Sequence, residues 1–226
     1  MAFKVAADLR IDEVILLGDA IDCYTLSSHS KDPGITKSLA DEIQMLSLFL
    51  ARIEKTFPKA KLVYIQGNHE DRMERYIEKH CRELYGLVSL EKILGLRNRG
   101  WVWVPSGPNQ KYRVLGSDLY ARHTPISCGQ NAASLTLAKA GCNIICGHLH
   151  RSALAMNAAM DGKTRMAMLV GCMLRRNHSV YSYVKGINTW NRGFAIVHAK
   201  GKRFYPELVW IQENDTCLAN GKVYKA

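Results

Sequence analysis

The sequence has no apolar run that is long enough to cross a membrane. A transmembrane helix needs roughly 20 predominantly apolar residues, and every apolar stretch in these 226 residues is shorter. The first ten residues, MAFKVAADLR, also lack a basic segment followed by an apolar run and a small-residue cleavage site. We therefore expect a cytoplasmic protein without a membrane partner.

Cysteine occurs in no pattern that indicates a disulfide framework or a zinc ribbon. The chain has seven cysteines, an odd number, and none is spaced as C-x-x-C. Cys142 and Cys146 flank a strand-like segment, CNIIC, so we interpret them as core residues rather than metal ligands. Reduced thiols are typical of a cytoplasmic protein.

Internal repeats and low-complexity linkers are also absent from the sequence. A chain in which 47% of the residues are hydrophobic and 23% are charged has a globular composition. Its length is typical of one α/β domain. We predict a single domain over residues 1–226, with a β-rich C-terminal part that starts near residue 152.

The excess of positive charge, +11 in all, is unevenly distributed. Residues 1–150 contain 19 Lys/Arg and 16 Asp/Glu, a net charge of +3, whereas residues 151–226 contain 12 and 4, a net charge of +8. A basic C-terminal third favours an anionic partner such as nucleic acid. A solvated surface without such a partner explains the composition equally well.

The order of apolar runs predicts a strand, a helix and a second strand over residues 13–67. EVILLGDAID (13–22) and KLVYIQG (61–67) are typical of buried strands that end in polar loops. Apolar residues at steps of three and four between them predict an amphipathic helix: Leu39, Ile43, Leu46, Leu50, Ile53 and Phe57. A connection of this length requires the two strands to pair in parallel.

Further elements follow along the chain. We predict a charged helical segment over residues 70–95, strands in WVWVP, KYRVL, DLYARH and CNIIC, and a helix in QNAASLTLAKAG. Two hairpins are predicted near the C-terminus, one about Asp161-Gly162 and one about residues 200–202.

Several predicted strands end in glycine followed by polar residues. Because the carboxyl ends of parallel strands line one crevice, we expect these polar residues to converge there. Glycine lets the backbone turn sharply and lets a ligand approach closely. A mixture of carboxylate, amide oxygen and imidazole favours manganese, iron or zinc over calcium or magnesium, and imidazole also admits nickel. We expect one or two divalent ions, with manganese preferred.

Four motifs carry this pattern along the chain: Gly18-Asp19-x-x-Asp22, Gly67-Asn68-His69-Glu70, His123, and Gly147-His148-x-His150. In this order they resemble the calcineurin-like metallophosphoesterase superfamily. The segments GHLHR, VGCM and NTWNRGFAIV resemble a bacterial and phage-type branch of it, so the resemblance covers most of the chain. It implies an α/β fold in which a sandwich of two sheets is flanked by helices.

The resemblance also implies a set of metal ligands. Asp19 would be the carboxylate that bridges two metal positions. Asn68, His123 and His148 would complete the second position, and His150 would bind the first.

His69 would stand near the substrate phosphate as a general acid or a transition-state stabiliser, held in orientation by Asp22. An imidazole is well suited to donate a proton near neutral pH. The alternative is that His69 caps the following helix. Arg151 comes directly after the double-histidine loop, and it could bind a substrate phosphate or form a surface ion pair.

One motif of the superfamily, an Asp-x-His that closes the first strand, has no match. The early candidate Asp8-Leu9-Arg10 has arginine in place of histidine, and it lies too near Asp19 for a strand and a crossover helix to intervene. We therefore expect a fold without its first strand, whose segment 1–10 is the end of a helix. The first metal position would be poor, and an oligomer could cover the exposed strand edges.

The expected function is hydrolysis of phosphate esters by a metal-dependent phosphodiesterase or nuclease that acts on nucleotides or nucleic acid. The alternative is a catalytically impaired fold that binds nucleic acid or a protein. We interpret His29 as a loop residue, His178 as structural or solvated, and Trp190 as a packing residue. Arg175 and Arg176 could bind phosphate or lie on a solvated surface.

Overall fold

Helices and strands are interspersed up to residue 146 of the computed structural model, which describes residues 1–28, 34, 36–158, 160–174 and 189–226, and strands follow in the rest of the described part. In chain order the elements are α1 (Ala2–Ala6), β1 (Glu13–Leu16), α2 (Leu39–Thr56), β2 (Lys61–Ile65), α3 (Asp71–His80), α4 (Leu90–Ile93), β3 (Trp101–Val104), β4 (Tyr112–Arg113), β5 (Leu119–Arg122), α5 (Ala132–Ala140), β6 (Asn143–Cys146), β7 (Ser152–Ala158), β8 (Thr164–Val170), β9 (Arg192–Lys200), β10 (Arg203–Ile211), β11 (Thr216–Ala219) and β12 (Lys222–Lys225). The predicted α/β class is confirmed. Four residues interpreted from the sequence lie outside the described residues: His29, Arg175, Arg176 and His178.

The chain divides into two compact units. The N-unit is Ile11–Gln110, and the C-unit is Met1–Arg10 together with Lys111–Ala226. Among the described residues, no helix is long and apolar enough to cross a membrane. The prediction of a single domain stays a prediction.

A three-stranded parallel sheet forms the centre of the N-unit. Its strand order is β1-β2-β3, and Val63 of β2 lies beside Ile15 on one side and Val102 on the other. Four of the five β2 residues are buried, as expected for a central parallel strand. The predicted strand, helix, strand unit with parallel pairing is confirmed.

Helix α2 packs one apolar stripe into the N-unit core. It begins with a capping box, in which the Ser38 hydroxyl accepts the backbone N–H of Asp41 at 3.1 Å and the Asp41 carboxylate accepts that of Ser38 at 2.9 Å. Leu46, Leu50 and Ile53 are its buried residues. Their spacing of four and three places them on one face, in agreement with the predicted amphipathic helix.

The predicted helical segment 70–95 is interrupted. Helix α3 buries Met73 and Ile77, which are one turn apart, and ends at His80. A short 3-10 helix (Arg82–Leu84) and Gly86, with a φ of 74°, separate α3 from the single turn of α4. Helix α3 ends because Cys81 leaves the helical conformation, with φ −145° and ψ 55°. The positive φ of Gly86 further prevents one continuous helix, because a right-handed helix needs negative φ at each residue.

The C-unit contains a five-stranded mixed sheet in the order β4-β5-β6-β8-β7. Strands β5, β6 and β8 are parallel, and the edge strands β4 and β7 are antiparallel to their neighbours. Helix α5 covers one face of this sheet, where Leu137 packs with Ile144, Cys146 and Leu169. Cys146 is a core residue, as predicted, whereas Cys142 is only partly buried.

Two antiparallel hairpins complete the C-unit. The first is the predicted hairpin of β9 and β10, which is confirmed. The other predicted hairpin, β7 and β8 about Asp161-Gly162, is also confirmed and belongs to the five-stranded sheet. The hairpin of β11 and β12 was not predicted, although its turn, Asn220-Gly221, is a strong hairpin signal. The short helix α1 packs Val5 against a core that includes Val209 and Cys217.

Candidate functional site

In the N-unit, the polar motifs follow two neighbouring strands at the edge where both strands end. Strands β1 and β2 are parallel and in register, so the segments that begin at Gly18 and Gly67 leave the same edge of the sheet. The backbone N–H of His69 donates to Oδ1 of Asp19 at 3.0 Å. The predicted convergence of these two motifs is therefore present within the N-unit.

A buried carboxylate holds these two loops together. Glu70 is 0% exposed, and its carboxylate accepts the backbone N–H groups of Asp19, Ala20 and Gly67 at 2.8–2.9 Å and the hydroxyl of Tyr64 at 2.7 Å. Burial raises the pKa of Glu70, and the nearby charge of Asp19 adds to that effect. Four donors on one carboxylate use its acceptor sites fully.

The approach of the two loops depends on a glycine at position 67. A Cβ atom there would lie 2.5 Å from the backbone nitrogen of Asp19 and 2.6 Å from Oε2 of Glu70. Such contacts leave no space for a side chain. At Gly67 this space is occupied by the neighbouring loop of the protein itself, and the prediction that glycine lets a ligand approach stays a prediction.

Asp22 and His69 form a hydrogen-bonded pair in the N-unit. Oδ1 of Asp22 lies 2.8 Å from Nδ1 of His69, and Oδ2 of Asp19 lies 3.9 Å from Nε2 of the same ring. Helix α3 has Glu70 at its N-cap and no side-chain capping bond, so the alternative that His69 caps this helix receives no support. The ring of His69 instead lies between the carboxylates of Asp22 and Asp19.

Arg72 completes this group, although the sequence interpretation did not include it. Its Nη1 donates to the carboxylate and to the carbonyl of Asp22 at 2.6 and 2.7 Å, and its Nη2 lies 3.2 Å from Nε2 of His69. Because a guanidinium only donates, Nε2 accepts and the proton of the neutral ring resides on Nδ1, facing Asp22. The i, i+3 spacing of His69 and Arg72 at the start of a predicted helix was the available signal.

The charges around Asp22 keep it ionised. Burial by itself raises the pKa of this carboxyl, but its hydrogen bonds to His69 and Arg72 and the charge of Arg72 outweigh burial, and the pKa is lowered overall. A second arginine of α3, Arg75, donates to the backbone carbonyl of Asn68 at 3.0 Å. Through Arg72 and Arg75, helix α3 therefore holds the Asp22–His69 pair and the backbone of Asn68 in place.

In the C-unit, the histidine motifs also follow neighbouring parallel strands. Arg122 of β5 lies beside Cys146 of β6, and the backbone N–H of Gly147 donates to the carbonyl of His123 at 3.0 Å. His123 is 2% exposed. Its Nε2 lies 3.2 Å from Nδ1 of His148, with ring centroids 5.1 Å apart and nearly perpendicular rings.

The spacing of this histidine pair fits a shared metal ion. Nitrogens bound tetrahedrally to one ion at about 2.0–2.1 Å are ~3.3 Å apart, close to the 3.2 Å between the rings of His123 and His148. Imidazole is a ligand of zinc, iron and nickel, whereas carboxylate and amide oxygens suit manganese. The two imidazoles are therefore compatible with a divalent transition-metal ion such as zinc, iron or nickel.

Three predicted ligands lie on unfavourable backbone. Asp19, His148 and His150 have φ values of 54°, 67° and 56°, and they are three of seven non-glycine residues with positive φ in the described part of the chain. Such a conformation costs a residue other than glycine on the order of 1–3 kcal/mol, and residues of this kind concentrate at functional sites. Unfavourable backbone of this kind therefore occurs in the loop after β1 and in the loop after β6, both of which carry sequence motifs.

The remaining predicted residues lie nearby in the C-unit. The ring of His150 packs edge-on against Trp190, with centroids 4.3 Å apart at 87°. Nη2 of Arg151 donates to the carbonyls of Cys128 and Gly129 at 3.3 and 3.0 Å. The phosphate-binding role of Arg151 stays a prediction, as does the joining of N-unit and C-unit ligands around one ion.

Comparisons with known proteins add one relative. The chain is 25% identical over 216 residues to the Gene 54 protein of Mycobacterium phage L5, an alignment that spans 89% of this chain and 82% of that protein. No family model matches the sequence. No solved structure gives a significant match.

Proposed function

We propose that this protein is a metal-dependent phosphoesterase with a metallophosphoesterase-like sandwich of two sheets. The observation that carries this proposal is the group formed by Asp19, Asp22, His69 and Arg72 at one edge of the N-unit sheet. It combines an imidazole oriented by a carboxylate, a second carboxylate 3.9 Å from the far side of the ring, and a guanidinium that suits a phosphate oxygen.

The proposed metal ligands combine oxygen and nitrogen donors. Asp19, Asn68, His123 and His148 would hold one ion, and His150 with Asp19 would contribute to another. This donor set suits manganese, iron or zinc, and nickel is compatible with its imidazoles. When bound, such an ion supplies an activated water and neutralises charge on the phosphoryl group.

The residues of the N-unit perform the proton chemistry. Asp22 accepts the hydrogen bond of Nδ1–H and fixes the ring of His69, which leaves Nε2 as the atom that takes up a proton from solvent and donates it to the leaving oxygen. A substrate phosphate oxygen is a better acceptor for Arg72 than the ring is, because it is charged. When Nη2 of Arg72 donates to the phosphate instead of to His69, Nε2 becomes available to carry the proton.

The proposed substrates are nucleotides or nucleic acid. The C-unit contains 18 Lys/Arg and 6 Asp/Glu, a net charge of +12, whereas the N-unit contains 13 and 14, a net charge of −1. The whole positive excess therefore belongs to the unit that carries the histidine motifs. Such a surface attracts a polyanion without requiring a particular sequence.

Hydrolysis of bis-p-nitrophenyl phosphate tests the proposal. We expect turnover with added manganese, loss of turnover with a chelator, and a decrease of at least about 100-fold in Asn68→Ala, which removes a proposed ligand. The matched control is Asn98→Ala, an exposed turn residue, which should behave as wild type. Equal trace rates in all three proteins would contradict catalysis and favour the alternative of a nucleic-acid or protein binding fold.

A further inference from the structure

The segment Trp190-Asn191 contacts the double-histidine loop through both backbone and side chains. The backbone N–H of Asn191 donates to the carbonyl of His150 at 2.7 Å, and its side-chain Oδ1 accepts the backbone N–H of Ser152 at 3.1 Å. Its carbonyl accepts the backbone N–H of Cys172, which follows β8, at 2.9 Å. One residue therefore connects the loop after β6 to the end of β8.

The tryptophan fixes the ring of the same histidine. Its ring meets that of His150 at 4.3 Å between centroids and at an angle of 87°. An edge-to-face arrangement of this kind is a favoured geometry for aromatic pairs. His150 is thus held twice, through its carbonyl by Asn191 and through its ring by Trp190.

Gly171, which faces this segment, and Gly193, which follows it, both lie in close contact with neighbouring backbone. A Cβ at Gly171 would lie 2.6 Å from the carbonyl oxygen of Asn191, and the φ of 76° at Gly171 also disfavours a side chain. A Cβ at Gly193 would lie 2.7 Å from the carbonyl oxygen of Val209. The segment is packed backbone against backbone, so Asn191 has little freedom to shift.

His150 has a specific need for such support. Its φ of 56° is uncommon for a residue other than glycine, and a residue in that conformation persists when its surroundings determine it. We propose that Trp190 and Asn191 are positioning residues that hold the His150 ring ready to bind a metal ion. The inference rests on the proposed function, in which His150 is a ligand, and it assigns Trp190 a role beyond packing.

Loss of this support should weaken metal binding without unfolding the unit. Groups that orient a metal ligand typically contribute 10–100-fold in metal affinity. We therefore expect Trp190→Ala and Asn191→Ala to raise the Kd for manganese by about that factor, measured by titration calorimetry on the full chain. Trp190→Phe keeps an aromatic edge contact and Asn191→Asp keeps an acceptor for Ser152, so both should recover most of the affinity.

Matched controls separate positioning from general damage. Asn157 and Trp210 are exposed residues of β7 and β10 in the same unit, and Asn157→Ala and Trp210→Ala should leave the Kd unchanged. The melting temperature of each protein is measured without metal. If the two alanine variants melt far below wild type and the conservative variants do not restore affinity, Trp190 and Asn191 are merely structural and the inference is wrong.

The NMR signals of the His150 ring give a readout that needs no metal. They are assigned by their disappearance in His150→Gln. We expect one sharp set in wild type and broadened or doubled signals in Trp190→Ala and Asn191→Ala. Unchanged signals with unchanged Kd would overturn the positioning role and leave the proposed function intact. A wild-type protein that binds no manganese would instead overturn the proposed function, and the ring signals would still decide whether the segment positions His150.

Discussion

The N-unit and the C-unit hold the polar side chains at their strand ends in different ways. In the N-unit, the carboxylate of Glu70 collects three backbone N–H groups and a hydroxyl, all at 2.7–2.9 Å. In the C-unit, His148 and His150 lie on left-handed backbone, and His150 is held by the packed segment that contains Asn191. The first arrangement depends on charge-assisted hydrogen bonds, and the second depends on close packing.

The difference extends to the chemistry that each unit offers. The N-unit supplies carboxylates and an oriented imidazole from a nearly neutral unit, with a net charge of −1. The C-unit supplies a pair of imidazoles and a net charge of +12. In the proposed function, proton transfer would therefore belong to the N-unit and attraction for an anion to the C-unit. Substitutions that act on one kind of support should leave the other unaffected.

The largest effect is expected for Glu70→Ala. Removal of this carboxylate leaves three N–H groups and the Tyr64 hydroxyl without their acceptor, so the free energy of unfolding should fall by about 3–5 kcal/mol in urea titrations. The control in the C-unit is Glu207→Ala, whose carboxylate accepts one exposed N–H, that of Asn220. That change should cost less than about 1 kcal/mol. Equal losses of unfolding free energy in the two variants would show that the buried carboxylate of Glu70 stabilises the protein no more than the exposed one of Glu207.

The next effect tests the close approach of the two loops. In Gly67→Ala the new Cβ would meet the Asp19 backbone and the Glu70 carboxylate, so we expect a loss of about 2–3 kcal/mol in the free energy of unfolding. Gly129→Ala is the control, because a Cβ there meets nothing within 4 Å. It should change stability by no more than about 0.5 kcal/mol. A Gly67→Ala protein of wild-type stability would contradict the tight packing of these loops.

A third effect concerns Arg72 and depends on pH. The pKa of Asp22 is lowered in the folded protein, so its ionised form adds stability above the unfolded pKa, and this stability is lost as pH falls through the folded pKa. Arg72→Met removes one group that lowers this pKa. The variant should therefore lose less stability than wild type on acidification, measured by urea unfolding between about pH 5 and pH 3.

Under the proposed function, the same variant should also turn over phosphate esters about tenfold more slowly, a factor that corresponds to ~1.4 kcal/mol. Arg72→Lys should recover only part of this loss, because an ammonium cannot form the fork that binds Asp22 and His69 together. Arg97→Met, at an exposed site on the same unit, is the control and should match wild type. A pH profile of stability identical to wild type in Arg72→Met would exclude Arg72 as the partner of Asp22.

Sequence patterns predicted the parallel strands β1, β2 and β6 and the polar loops that follow them, because burial leaves a recognisable apolar run in the chain. They did not predict the hairpin of β11 and β12. They did not reveal Arg72 or the burial of Glu70. The orientations of Glu70 and Arg72 depend on their contacts with Asp19 and Asp22, which are about 50 positions away in the sequence. Local spacing contains little of that information. The contact of Trp190 with His150 is likewise made across 40 residues and leaves no trace in local spacing.

The smallest effect concerns the uneven charge. Lys202→Glu combined with Arg203→Glu reverses two exposed charges of the C-unit, and Lys55→Glu combined with Lys59→Glu reverses two of the N-unit. Both pairs change the net charge equally. We expect the C-unit pair to weaken single-stranded DNA binding a few-fold more than the N-unit pair, and to flatten the dependence of log Kd on log salt, because fewer counterions are released. Equal weakening by both pairs would mean that net charge alone attracts the DNA and that the C-unit presents no preferred surface.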